Sequence, residues 1–452
     1  MRTRYLTAVA LMLPAVLACG VLAGGCSRAA DAPFVPKDVA APAHLDPARP
    51  CLQPAPGTAQ PTAGTAGTAR PAPVAVRAAL RAGVITLSAG EDVTLTALSA
   101  AVRSPAVLRE LGPGEWWLGA DLVILPGASL RIAAPETRWL KLRSEAGKFV
   151  SVKALGGGLA IEGSCVSSWD TAAGRADTEN TDGRAFLLAR GKGEMTVDHA
   201  QIRYLGYGAV ESYGLSWREL GTRGSLVGSS VSNLYYGVYS YQVDGLVIRG
   251  NEVYDNVLYG IDPHTGSRRL VIEANVVHDN GKHGIILAEE CVDSVIRGNV
   301  VYRNGHHGIV LYQRSDRNTV EDNETFLNAA QGINVNESSD NVVRGNRAYR
   351  NGESGIGVGE TGQRNAVEDN QVRANQQDGV RLVSEAAHTA VRRNVIGDNV
   401  RYGIYVDGDG GFEVAANTIF GSRVGVLLKG TDDHPDGDNT IRDNPGGDVK
   451  IQ

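Results

Sequence analysis

One asparagine recurs through the second half of the chain at intervals of 23 or 24 residues: Asn251, Asn275, Asn299, Asn323, Asn346, Asn370, Asn394 and Asn417. A second follows five residues later, at Asn256, Asn280, Asn304, Asn328, Asn351, Asn375 and Asn399. A glycine then precedes an aliphatic residue, as in Gly260-Ile261, Gly284-Ile285, Gly308-Ile309, Gly332-Ile333, Gly355-Ile356, Gly379-Val380 and Gly403-Ile404. Self-similarity at a fixed short period, held over so many copies, requires a stack of repeated units.

Each unit holds short β-rich runs punctuated by Asn and Gly, and none has a stretch long or periodic enough for a packed helix. Three residues before the first Asn series stand Ile248, Ile272, Ile296, Val320, Val343, Val367, Val391 and Val414, with Ile441 read as the last member. In stacked parallel strands these form one internal aliphatic column. The two Asn series then read as amide ladders at corners, where Asn tolerates left-handed backbone. The next position alternates in charge: Arg249, Glu273, Arg297, Glu321, Arg344, Glu368, Arg392 and, after Ala415, Arg442. Coils about 4.8 Å apart would set opposite charges side by side, a solvated and structural ladder. The expected fold is all-β, a right-handed parallel β-helix of about 24-residue coils.

Ahead of this domain, Arg2 and Arg4 precede an apolar run from Leu6 to Leu22, the features of a secretion signal over residues 1–26. Leu22-Ala-Gly-Gly-Cys26-Ser27 resembles a bacterial lipobox, which implies a lipid-modified Cys26 and an extracytoplasmic, membrane-anchored protein. Residues 27–77 are rich in Ala, Pro, Gly and Thr and read as a flexible linker. The β-helix domain is expected over residues 78–452, its early coils irregular from the strand-like Val84 and Val93 runs onward. Cys51 falls in the linker, Cys165 and Cys291 in the domain; their spacing leaves pairing open. A net charge of −6 without a basic cluster disfavours nucleic acid as a partner. Tyrosines concentrated between Ile202 and Tyr241 suit partly a core and partly a sugar-lined groove.

One turn breaks the repeat. Where later coils read Ile285-Ile286-Leu287 and Ile309-Val310-Leu311, this one reads Ile261-Asp262-Pro263-His264. Strand alternation puts Asp262 and His264 on one outer face. A Pro within a strand forfeits a ladder hydrogen bond, a cost that points to function. In register, Ala288, Tyr312 and Asn336 fall beside His264, Asn334 beside Asp262, and Glu289, Gln313 and Glu337 beside Thr265. A carboxylate near an imidazole tunes a general base. His283 and His307 share the column of Tyr259; two imidazoles one coil apart could hold a metal, but the sequence offers no evident third ligand, and the reading includes no metal or cofactor.

The stretch YGIDPHTGSRRLVIEANVVHDNGKHGIIL, with RYLGYGAVESYGLS and YYGVYSYQVDGLVIRGN upstream, resembles the periplasmic mannuronan (alginate) C5-epimerases over roughly residues 105–430. The resemblance implies a polyuronate substrate along the groove, with His264 removing the C5 proton and Asp262 orienting or tuning it. A proton would return from the opposite face through water or Tyr312, giving guluronate. Lys282, His283, His307, Asn334, Asn336, Glu337 and Tyr259 are the expected substrate contacts, and an exopolysaccharide secretion complex a possible partner. Two positions differ from the family: Thr265 replaces an Asp, and Glu289 replaces the Arg that neutralises the substrate carboxylate. Arg314, Lys282, Arg268 and Arg269 are the cations at hand, Arg314 being preferred because it leaves the strand on the same side. A polysaccharide lyase shares the first chemical step, and a non-catalytic polysaccharide-binding or export protein would retain the fold alone.

Overall fold

The computed structural model describes residues 37–39, 45–51, 75–383, 386–431, 434–435 and 437–452. The expected signal segment, Cys26 and most of the expected linker lie outside these residues. The solenoid lies within the unit Val39–Gln452. It winds a parallel β-solenoid of about 14 turns. One regular coil shows the plan: strands Ile261–His264, Val271–Glu273 and Val276–His278, each hydrogen-bonded to its equivalent in the next coil. The Ile261–His264 strand and its equivalents form the face that carries the site.

The core is the expected aliphatic column. Ile248, Ile272, Ile296, Val320, Val343, Val367 and Val391 are fully buried and in direct register. Beside it the charge ladder forms: Glu273 pairs with both Arg249 and Arg297, and Arg344 with Glu321 at 2.6 Å. The last rung differs from the sequence reading. Ile441 stacks on Ile419 and Arg442 on Phe420, in the third strand series. Asn439, not Asn444, continues the first amide ladder by accepting from Asn417 at 3.0 Å. The final coil is shortened, so counting back from its last Asn selects the wrong strand.

The amide ladders are buried and saturated. Asn275 donates through Nδ2 to Asn299 Oδ1 at 2.9 Å and to Ile248 O at 3.0 Å, and its backbone N–H also reaches Asn299 Oδ1. The second series repeats this through Asn256, Asn280 and Asn304. Glycine precedes the site-face strand because the coils touch there: a Cβ on Gly284 would lie 2.4 Å from Val301 Cγ1 and 2.8 Å from Asn304 Nδ2. A third ladder, Ser294, Asn318, Asn341 and Asn365, went unread in the sequence. So did a stack of rings on the third strand series, Tyr254, His278, Tyr302, Phe326 and Tyr349, at 4.8–5.1 Å between successive centroids.

The start of the domain departs from expectation twice. Leu95–Val102, within the stretch read as strand, is a helix capped by the Thr94 hydroxyl, and its Leu95 and Leu98 are fully buried. A β-rich alphabet there is overridden by an apolar i, i+3 pair that caps the open end of the core. Second, the linker is not wholly a free tether. Cys51 is disulfide-bonded to Cys165, 114 residues away, Ala176 N–H donates to Pro47 O and Tyr204 Oη to Leu45 O. Cys291 remains a buried free thiol.

Candidate active site

The register at the variant turn follows the sequence. Ile261 pairs with Ile285 and His264 with Ala288, which in turn aligns with Tyr312 and Asn336. Tyr239 lies in register with Asp262, and Tyr241 with His264. Alternation turns Ile261 into the core and leaves Asp262 and His264 along one groove. The groove encloses about 400 Å³ and is walled by Tyr259, Lys282, His283, His307, Tyr312, Asn334 and Asn336 as well. Its floor is apolar: Ile286, Ala288 and Val310 face outward yet are buried, packed beneath Tyr259 and Tyr312. Apolar residues at outward positions were the sequence signal for a covered floor.

Asp262 is 1 % exposed and neither carboxyl oxygen has a hydrogen-bond partner. Burial, reinforced by the Glu289 carboxylate and opposed by Lys282, holds its carboxyl well above the usual range. Its environment therefore favours the protonated acid over the carboxylate. It makes no hydrogen bond to His264, so orienting His264 falls to other groups. His264 Nδ1 lies 2.7 Å from Thr265 Oγ1, and that hydroxyl donates to Glu289 Oε2 at 2.8 Å. Burial lowers the His264 pKa; Glu289 opposes this and Arg218 adds to it. The imidazole is accordingly neutral and able to accept a proton at pH 7.

Of the cations foreseen, the structure brings only Lys282 to the groove, its Nζ donating to Tyr259 Oη at 2.9 Å. Arg314 is an exposed side chain paired with Glu290 at 2.7 Å, and Arg268 and Arg269 both bind Asp244. The preference for Arg314 thus fails on direction: the residue sits in a left-handed turn past the strand, which aims it away from the groove. Glu337, at the equivalent turn one coil on, likewise lies outside the groove wall. A cation the sequence reading missed is Arg218, two coils before His264 in the same column, buried over the rings of Tyr239 and Tyr241. Tyr213, Tyr235, Tyr236 and Tyr259 extend this aromatic wall, with ring centroids 4.6–6.4 Å apart.

His306, also missed, joins His283 and His307 so that one ring nitrogen from each lies within 4.8 Å of the others. This supplies the third imidazole, but the tautomers are wrong for a metal. His283 Nδ1 accepts the His307 backbone N–H at 3.3 Å, and His307 Nδ1 accepts that of Gln331 at 3.0 Å. A neutral imidazole accepting at Nδ1 carries its proton on Nε2, which for His307 requires the Asn334 amide, 3.3 Å away, to turn its oxygen toward that nitrogen. Burial and the neighbouring imidazoles push His283 down to about 2 and His307 down to about 3, so both stay neutral. His283 thus presents a donor to the groove, while His307 Nε2 is engaged with the Asn334 amide.

The family model for the right-handed β-helix region matches residues 178–325 and 286–445. The chain belongs to the right-handed β-helix family. It is 33% identical over 194 residues to a mannuronan C5-epimerase of Pseudomonas aeruginosa, covering 40% of this chain and 35% of that protein. A mannuronan C5-epimerase of Azotobacter vinelandii is 34% identical over 174 residues, covering 36% of this chain and 32% of its own. The chain thus spans about a third of the length of the curated relatives it matches. Among solved structures, the periplasmic alginate epimerase AlgG superposes with a TM-score of 0.60 at 24% identity, covering 82% of this chain and 85% of that one. At that identity the superposition speaks for the fold.

Proposed function

We propose that this β-helix protein is an extracytoplasmic mannuronan C5-epimerase, converting β-D-mannuronate residues of a polyuronate to α-L-guluronate. The observation that carries the reading is the placement of His264 and the buried Asp262 side by side along one groove with Lys282. The C5 proton of a uronate is acidic only because its carboxylate can take the charge, so removal creates a dianion that must be stabilised. In this reading His264 Nε2 accepts the C5 proton. Lys282 supplies positive charge in the groove, and the protonated Asp262 donates a hydrogen bond to the carboxylate, as a carboxylic acid kept neutral by an apolar site can. Tyr312, two coils or about 10 Å along the groove, or a water beside it, returns the proton to the opposite face.

His283, His307, Asn334, Asn336 and Tyr259 hold neighbouring sugars through donors and ring faces. The start of the chain completes the picture: a signal over residues 1–26, Cys26 as the lipid-bearing residue, and a linker to the domain, placing the enzyme at an envelope surface where a secretion complex exports polymer. The test is proton NMR of polymannuronate after incubation with the protein. Guluronate anomeric signals support the proposal. Unsaturated 4-deoxy ends would make the enzyme a lyase, and unchanged polymer, bound but unmodified, a binding protein.

A further inference from the structure

Glu289 stands where a cation was expected, and Thr265 where an acid was expected, and the two meet at His264. Thr265 Oγ1 lies 2.8 Å from Glu289 Oε2 and 2.7 Å from His264 Nδ1, while the direct separation of His264 Nδ1 and Glu289 Oε2 is 3.7 Å. A hydroxyl has a single proton to give, and an ionised carboxylate can only accept. Thr265 must therefore donate to Glu289 and accept from His264. This places the imidazole proton on Nδ1 and leaves the lone pair on Nε2.

The backbone carries an independent sign that this hydroxyl matters. Thr265 has φ of 26°, and its equivalents in neighbouring coils, Gln242, Glu289, Gln313 and Glu337, are left-handed as well at 56°, 57°, 50° and 49°. Among these five only Thr265 is β-branched, the side-chain type least suited to positive φ. Such strain persists where surrounding structure enforces it and clusters at functional sites.

We infer that Glu289 and Thr265 are positioning residues that fix His264 in its Nδ1–H tautomer and so make Nε2 the base of the reaction. This deepens the epimerase reading and rests on it for the catalytic consequence only. In the step itself the C5–H bond breaks, the Nε2–H bond forms, and the electron pair stays with C5 and its carboxylate. The imidazolium keeps its Nδ1–H on Thr265, which keeps its own proton on Glu289. Neither Thr265 nor Glu289 changes protonation. The negative charge at Glu289 stabilises the imidazolium through the hydroxyl, which accounts for a carboxylate at a position where it would otherwise repel substrate.

Two measurements on the full chain test this. The first needs no turnover: nitrogen-15 NMR of histidine-labelled protein, with His264→Gln to assign the resonance, reads the tautomer directly. A bare Nε2 and protonated Nδ1 are expected, and an Nε2–H tautomer in the wild type overturns the inference. In Glu289→Gln the His264 titration midpoint, followed by the same resonances, should move to lower pH; an unmoved midpoint also overturns it. The second compares Thr265→Val with Thr265→Ser on polymannuronate. The valine variant should lose roughly tenfold or more in kcat with KM little changed, a part of what general base catalysis contributes, while serine retains activity. Equal activity of the two overturns the relay. A wild type inactive on polymannuronate with the Nδ1–H tautomer present would instead count against the epimerase reading alone.

Discussion

Replacing Asn299 by Ala isolates what one rung of the amide ladder contributes. Asn299 is fully buried, and its Oδ1 accepts both the backbone N–H and the Nδ2–H of Asn275 at 2.9 Å. Its own Nδ2 donates to Asn323 Oδ1 at 2.9 Å and to Ile272 O at 3.0 Å. Truncation leaves two buried Asn275 donors without an acceptor, at about 1–3 kcal/mol each, so the expected loss is about 2–6 kcal/mol. A water admitted into the vacated space would keep the loss near the lower end. The comparison variant is Arg297→Ala, one residue past the neighbouring aliphatic column, whose half-exposed ion pair with Glu273 is expected to contribute about 0–1 kcal/mol. Urea denaturation supplies the global difference. Because solenoids can open locally, amide exchange of the coils around residues 272–323 should be measured beside it. Equal destabilisation by the two variants, or a loss under about 1 kcal/mol for Asn299→Ala, would refute the view that the ladders rather than the outer charges hold the coils together.

Other outcomes follow from the same geometry. Lys282→Gln should lower kcat/KM on polymannuronate at least tenfold, whereas Arg314→Ala should leave it within about twofold, since Arg314 is committed to Glu290 at the surface. The acidic limb of the kcat/KM profile should fall below the ordinary histidine range, because His264 must be neutral to act and burial lowers its pKa. Asp262 is raised in the folded state, so it remains protonated after its unfolded counterpart ionises, and stability is lost as pH rises through the unfolded value. Asp262→Asn should therefore raise the Tm at pH 8 relative to wild type, with the gain vanishing toward pH 3, as a scanning-calorimetry series would show. Cys51→Ser with Cys165→Ser releases a loop spanning 114 residues in sequence, which the chain-entropy model values at about 5 kcal/mol; urea midpoints with and without reductant check it.

Much of this molecule was legible in its residues because the repeat enforces register. Once the Asn columns were aligned, the neighbours of His264 on the coils after it followed: Ala288, Tyr312 and Asn336. What escaped lay where the repeat fails or where direction rather than register decides. The end coil misaligned Ile441 and Arg442, and the capping helix Leu95–Val102 answers to the open end of the core rather than to local propensity. Arg314 was in the expected coil, but a left-handed turn pointed it outward. Glu289 read as the loss of a neutralising Arg because the sequence does not show the Thr265 hydroxyl between it and His264. His306 was passed over because it falls one residue before the column position held by His307, and only packing brings its ring to His283.

The central claim is that His264 removes the C5 proton. Polymannuronate incubated with the full chain in D₂O, beside a His264→Ala control, tests it most directly by proton NMR. The account predicts guluronate residues carrying deuterium at C5 in the wild type and none in the control. Guluronate formed by the His264→Ala protein at a comparable rate, or guluronate retaining the C5 proton in D₂O, would contradict it.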